Sequence, residues 1–332
     1  MEHYERNPMT PAAPGSPIDK ILIKLPESMR ERINKLPKRA MNQLEEIRIR
    51  TDTDTLLISG GREYSLRDRD EITAEVLEEI LNRLLDYSYY AYEEELARGY
   101  ITIEGGHRVG ICGRVTLENG QVHLIKDVSS LNIRRSREIT GSSDKILGAV
   151  LSPAKTPPEG VQNAGDSAAI TEMNVRNTLI ISPPKCGKTT ILRDLARSLS
   201  CRGFRIGICD ERSEIAGCYD GKTSYDLGPR TDVLDGCPKA EGILMLIRAM
   251  SPDVVLTDEI GKPEDAAAIR SALSAGLKII TTIHGSSFED AAKSAVGDLI
   301  TDRVFETLIF LSAQPVTGTV EKILQLPEVS HG

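Results

Sequence analysis

The chain has 332 residues, 40% of them hydrophobic and 27% charged, with a formal net charge of −8. That length allows two domains, and the acidic balance excludes a globally basic nucleic-acid-binding surface while leaving room for a local patch. No apolar run approaches the ~18 residues of a spanning helix and the polar start carries no signal-peptide core, so a cytoplasmic location is expected.

Residues 1–17 are polar and Pro-rich and are expected to form a flexible tail. A small α+β domain is expected over 18–140. In it LEEIRIR (44–50) alternates as a half-exposed strand, and Thr55–Ser59 is placed to pair with it before the Gly60-Gly61 turn. Thr73 caps an amphipathic helix carrying Val76, Leu77, Ile80, Leu81, Leu84 and Leu85. A short helix is expected at Tyr92–Arg98. Strands at Tyr100–Glu104, His107–Thr116 and Gln121–Lys126 follow, separated by Gly105-Gly106 and Glu118-Asn119-Gly120. Residues 141–174 are expected to be a flexible linker, because 152–172 is rich in Pro, Ala, Gly and Ser with almost no apolar periodicity.

From Asn177 the pattern changes. Near-continuous apolar strands at Thr178–Ser182, Phe204–Cys209, Val254–Asp258, Leu277–Ile283 and Glu306–Leu311 alternate with helices at Thr189–Ser200, Glu241–Met250, Glu264–Ala275 and Phe288–Ile300. This alternation predicts an α/β domain over 175–327, a mostly parallel sheet flanked by helices, with Gly318–Leu326 as an edge strand.

The chemistry is expected in four places. Ser182-Pro183-Pro184-Lys185-Cys186-Gly187-Lys188-Thr189-Thr190 joins an apolar strand to an amphipathic helix, the context of a phosphate-binding P-loop. Ser182 replaces the usual first Gly. Backbone N–H groups near Lys185–Thr189 would cradle phosphate, Lys188 would reach the β and γ phosphates of ATP, and the Thr189 hydroxyl would bind Mg²⁺. Pro252–Glu259 is an apolar strand ending in two carboxylates: Asp258 is expected to hold Mg²⁺ and Glu259 to activate water. Thr281-Thr282-Ile283-His284-Gly285 brings His284 to the carboxyl end of the next strand, where ligands of open α/β sheets bind. His284 is then placed to sense the γ-phosphate. Cys209-Asp210-Glu211-Arg212-Ser213-Glu214 clusters carboxylates at a fourth strand end; Glu211 or Glu214 assists metal or water and Arg212 serves a neighbouring subunit, or the group is a local salt-bridge network. The six cysteines form no CxxC or Cys/His ligand cluster and read as free thiols.

With these residues in place the chain resembles the stage III sporulation protein AA family, a RecA-like/AAA-type P-loop NTPase group. The resemblance is carried by GGHRVGICGR (105–114), SSLNIRRSREITG (129–141), NTLIISPPKCGKTT (177–190), ICDERSEIAG (208–217), GPRTDVLDGCPKAEGI (228–243), SPDVVLTDEIG (251–261) and TTIHG (281–285). It runs from about Leu44 to Ile323; the N-terminal tail and the 152–172 segment, long for the family, depart from it. It implies a mother-cell ATPase similar to the type II and type IV secretion ATPases. Those are hexameric motors with a mobile N-terminal domain, peripheral at the cytoplasmic face of a membrane. The implied role is to energise the channel complex between mother cell and forespore through a membrane-protein partner. The resemblance also implies a trans arginine that completes the neighbouring subunit's site, for which Arg134 and Arg135 stand ahead of Arg230 and Arg248. Two other readings stay open. A nucleic-acid-dependent RecA-like ATPase is opposed by the acidic balance and scarce aromatics, so no stable nucleic-acid partner is expected. A non-hydrolysing nucleotide-gated scaffold is opposed by the Asp258-Glu259 pair.

Overall fold

The structure, a computed structural model, describes residues 17–153 and 173–326. Residues 1–16 of the expected tail and 154–172 of the expected linker lie outside the described residues. Two compact units meet in sequence at Ser136/Arg137.

The first unit holds helices α1 (Pro17–Leu22), α2 (Glu27–Asn34), α3 (Lys38–Asn42), α4 (Ala74–Leu84) and α5 (Glu93–Ala97). Its strands are β1 (Leu44–Arg50), β2 (Leu56–Ser59), β3 (Arg62–Ser65), β4 (Tyr100–Ile103), β5 (His107–Glu118) and β6 (Gln121–Arg134). They form one sheet in the order β3-β2-β1-β6-β5-β4 with antiparallel pairing throughout. Thr73 caps α4 by accepting from Val76 N–H, and Leu77, Ile80, Leu81 and Leu84 form its buried stripe.

The second unit holds α6 (Asp144–Val150), β7 (Leu151–Pro153), β8 (Met173–Val175), β9 (Thr178–Ser182), α7 (Lys188–Cys201), β10 (Ile206–Asp210) and β11 (Thr231–Asp235). It continues through α8 (Lys239–Ala249), β12 (Val254–Thr257), α9 (Pro263–Ser274), β13 (Lys278–His284), α10 (Phe288–Ala292), α11 (Gly297–Thr301), β14 (Thr307–Ser312) and β15 (Thr319–Gln325). Seven strands run β11-β10-β12-β13-β9-β14-β15, all parallel except the antiparallel edge β15. Every residue of β9, β10 and β12 is buried, as a sheet covered on both faces requires. Alternation divides the core. Ile180, Ile208, Val254, Leu256 and Ile280 join α6 and α7 on one face, while Leu179, Ile181, Val255, Ile279 and Leu308 join α8, α9 and α11 on the other.

Three expectations change. Residues 141–153 are not linker: Ile146, Leu147 and Val150 of α6 are buried in the second core, and β7 pairs with β8. The boundary therefore falls at 136/137 rather than at 140. The single helix expected over Phe288–Ile300 is two short ones, α10 and α11, because the backbone turns at Gly297, whose N–H bonds Ser294 O. A Cβ at Gly297 would lie 2.0 Å from Ala292 O, so the turn needs glycine.

Candidate functional site

Four parallel strands end side by side, β10 at Asp210, β12 at Thr257, β13 at His284 and β9 at Ser182, and the expected groups gather there. The loop after β9 bends through left-handed backbone at Lys185 (φ 62°) and Gly187 (φ 83°) before α7 starts at Lys188. Such reversals turn successive N–H groups toward one point, and the first N–H groups of a helix have no intrahelical acceptor. The positive φ at Gly187 favours glycine, and an added Cβ would also crowd Thr317 Cγ2 at 3.3 Å. Pro183, Pro184 and Lys185 are exposed, Thr189 and Thr190 half-buried, and Cys186 is packed into the core.

Lys188 is buried. Its Nζ donates to Ser182 O (3.0 Å), to Pro183 O (3.2 Å) and to His284 Nδ1 (2.9 Å). Burial pulls its ammonium below the ordinary lysine range, against the opposing pull of Glu259. His284 Nε2 lies 3.0 Å from Glu259 Oε1. Accepting at Nδ1 and donating at Nε2, the ring is assigned as one neutral tautomer. The result is a continuous relay, Lys188 to His284 to Glu259, with Arg212 Nη1 a further 3.9 Å from Glu259 Oε2. Glu259 sits at φ 27°, an uncommon backbone for a non-Gly residue, held by its own N–H donating to Thr282 Oγ1 (2.8 Å). Thr282 is the residue that aims it, a role the sequence left unread.

Asp258 is nearly fully buried. Its Oδ1 accepts no hydrogen bond among the described residues and has the Lys239 ammonium 3.4 Å away. Burial raises its carboxyl above the usual range, with Lys239 opposing. A buried carboxylate at a strand end, held by an ion pair to Lys239 at 3.4 Å and by no shorter donor to Oδ1 among the described residues, has the hard oxygen chemistry that a Mg²⁺ arriving with phosphate oxygens would use, as does the Thr189 hydroxyl at the start of α7.

Asp210 is a loop organiser. Its Oδ1 accepts from Glu214 N–H (2.9 Å), and its Oδ2 from Ile215 N–H (3.0 Å) and Ala216 N–H (2.8 Å). Glu211 accepts from Lys239 Nζ (2.6 Å) and lies 3.8 Å from Lys262 Nζ, so it belongs to a salt-bridge network that also reaches Asp258. The two readings of that segment thus merge: the network is local, and it is the network around the expected cation ligand. Lys239 itself was missed. The signal was there, since a Lys opening a helix faces the positive end of the helix dipole and needs carboxylates to hold it.

The arginines separate. Arg134, at the end of β6, is exposed. Arg135 Nη1 donates to Met41 O (3.2 Å) at the end of α3, an intra-unit role that argues against the trans function expected for it. Arg230 precedes β11 and Arg248 ends α8, which places both away from the strand ends that carry the chemistry. All six cysteines are free, and burial pushes the Cys209 and Cys218 thiols up to about 12, so both stay protonated. A concavity of about 770 Å³ lies at the opposite strand edge, among Val175, Arg205, Asp253 and Lys278. It gathers no nucleophile, phosphate cradle or orphaned carboxylate, so the chemistry outweighs its size.

The family described as sporulation stage III, protein AA, matches residues 18–158 and 159–327. The chain belongs to the stage III sporulation protein AA family. It is 44% identical over 306 residues to the stage III sporulation protein AA of Bacillus subtilis (strain 168), covering 90% of this chain and 92% of that one. A shorter likeness, 32% over 135 residues, extends to the uncharacterized protein ycf45 of Porphyra purpurea, with 39% of this chain and 24% of that one covered. Among solved structures the fold resembles the pilus retraction motor PilT with bound ADP, at a TM-score of 0.54 and 12% identity over 88% of this chain and 82% of that one. It also resembles the Yersinia pseudotuberculosis ATPase DotB, at 0.50 and 12% over 86% and 76%. The fold is thus that of a P-loop secretion ATPase, preceded by an antiparallel-sheet domain. Among the described residues no helix is long and apolar enough to cross a membrane.

Proposed function

We propose that this chain hydrolyses ATP and works as a homo-oligomeric, hexameric ring motor, energising assembly or transport through the mother cell–forespore channel complex from the cytoplasmic side. The observation that carries the reading is the unbroken relay Lys188–His284–Glu259 across the ends of β9, β13 and β12.

The backbone N–H groups of 185–189 and Lys188 bind the phosphates, and Lys188 exchanges its contacts with Ser182 O and Pro183 O for phosphate oxygens. Thr189 and Asp258 would hold Mg²⁺, whose positive charge would offset that of the phosphate oxygens. Glu259 accepts a proton from the attacking water, and its strained backbone and Thr282 fix its direction. His284 contacts both Lys188 and Glu259, so a change at the phosphate side moves the base side. Arg134 of a neighbouring subunit supplies positive charge to the transferring group. The ADP bound to PilT supports the nucleotide class.

The test is phosphate release and nucleotide binding by purified protein and Lys188→Ala. The wild type is expected to turn over and the variant to lose binding; wild-type release no higher than that of the variant overturns the reading.

A further inference from the structure

Lys239 opens α8 with its side chain 6% exposed, between Glu211 and Asp258, the carboxylate that the proposed mechanism gives to a divalent cation. Its Nζ donates to Glu211 Oε2 at 2.6 Å and stands 3.4 Å from Asp258 Oδ1. Glu211 also feels two further cations, the exposed Lys262 at 3.8 Å and Arg212, which acts on Asp258 as well. Glu214 adds like charge that acts on Asp258. Without Lys239, buried Asp258 and half-buried Glu211 would keep two negative charges at that point, opposed only by the more distant Lys262 and Arg212. Such a pair is an avid site for any divalent ion, with or without nucleotide. With Lys239 the inner pair keeps one net negative charge. Among the described residues no three His, Cys, Asp or Glu side chains come together as a metal-binding group, so the remaining ligands must arrive with the incoming molecule.

Resting on the ATPase reading above, we propose that Lys239 is a positioning and selectivity residue. Its ammonium occupies the inner side of the Asp258–Glu211 pair, so that a divalent cation is held only when triphosphate oxygens complete its shell. Among the described residues the same ammonium is the one cation paired with Asp258 Oδ1, at 3.4 Å, long enough for an incoming cation to compete for that oxygen. A Lys at the first position of a helix is disfavoured by the dipole and by burial, and here both costs are offset by the two carboxylates it serves.

The test is Mn²⁺ binding, followed by loss of the free-ion paramagnetic resonance signal, on the full chain without nucleotide. Four proteins are compared: wild type, Lys239→Gln, Lys239→Arg and the double variant Lys239→Gln/Glu211→Gln. The Gln amide still donates to Glu211, so the fold is kept while the charge is removed; circular dichroism checks this. Lys239→Gln is expected to bind Mn²⁺ about tenfold or more tighter than the wild type, the scale of one adjacent opposite charge. Lys239→Arg and the double variant are expected to stay near the wild type. Equal affinities for Lys239→Gln and the wild type overturn the proposal, as does an equal gain in Lys239→Arg, which would make packing the cause. If Lys239→Gln does not fold, Glu211→Gln takes its place. There the ammonium pairs with Asp258 alone, and the preference for Mn²⁺·ATP over metal-free ATP is expected to fall about tenfold; an unchanged preference overturns the proposal. Mn²⁺ binding without nucleotide does not depend on turnover. A chain that shows the Lys239→Gln gain but releases no phosphate therefore refutes the ATPase reading and leaves the charge assignment standing.

Discussion

At the scale of single residues, buried charges in the second unit are each tied to a named partner. Asp194 on α7 accepts from Gly141 N–H (3.1 Å), Ser143 N–H (2.8 Å), Ser143 Oγ–H (2.6 Å) and Arg197. It thereby binds the segment just past the unit boundary to the helix that starts at the P-loop. Burial works against its charge, but the Ser143 and Arg197 donors outweigh it and hold the carboxyl below its ordinary range. A depressed carboxyl gives stability that is present above the unfolded value, near pH 4, and lost as pH falls through the folded value. Asp194→Asn is expected to cost about 2–3 kcal/mol at neutral pH, with the gap to wild type narrowing below about pH 4. Urea unfolding at pH 7 and pH 3 checks this, and a gap equal at both would contradict it. Asp194 illustrates what the sequence hides: Asp inside a helix reads as solvated, and only the fold shows three donors from residues 141–143 aimed at it. The places of Lys188, Asp258, Glu259 and His284 in the fold were legible because each ends or follows an apolar strand or opens a helix. The role of Thr282 was not, since it acts on the Glu259 N–H at the end of the neighbouring strand, and Lys239 showed only its place at a helix start and not its partners Glu211 and Asp258 at two other strand ends.

At the scale of elements, the core strands were legible as apolar runs, and the edges were not. Strand β11, TDVLD, has no fully buried residue and so no run to recognise. Helix α6 is seven residues beside a Pro- and Gly-rich stretch, and its Ile146, Leu147 and Val150 show a helical face only once the core they fill is known. Close packing of α8 on β10 depends on Gly242, where an added Cβ would lie 2.3 Å from Cys209 Sγ. Gly242→Ala is expected to lower stability by about 1–3 kcal/mol, overpacking outweighing the helix-propensity gain of about 1 kcal/mol. Thermal unfolding reads the sign directly; a raised Tm would contradict the packing account. Because Lys239 opens the same helix, this variant should also loosen the Glu211 and Asp258 contacts.

At the scale of the molecule, the account joins a strand-edge site within one unit to a charge supplied by another subunit. Arg134 is exposed at the end of β6, whereas Arg135 spends its guanidinium on the Met41 and Asn42 carbonyls. The sequence alone ranked them together, because two adjacent arginines look alike until the fold leaves one exposed and bonds the other to the end of α3. Arg134→Ala is expected to lower turnover about a thousandfold with ATP affinity and particle mass unchanged, the pattern of a trans arginine. Arg135→Ala should instead act through the stability of the first unit. Mass measurement beside a turnover assay separates the two, and an Arg134→Ala protein with wild-type turnover would remove the arginine from the mechanism.

The central claim is that Glu259, aimed by Thr282 and joined through His284 to Lys188, activates the water that attacks ATP. The most direct measurement is steady-state phosphate release by Glu259→Gln against wild type, with nucleotide affinity measured on the same samples. The account predicts release lowered by about a hundredfold or more with affinity within a few-fold of wild type. Release by Glu259→Gln equal to that of the wild type would contradict it.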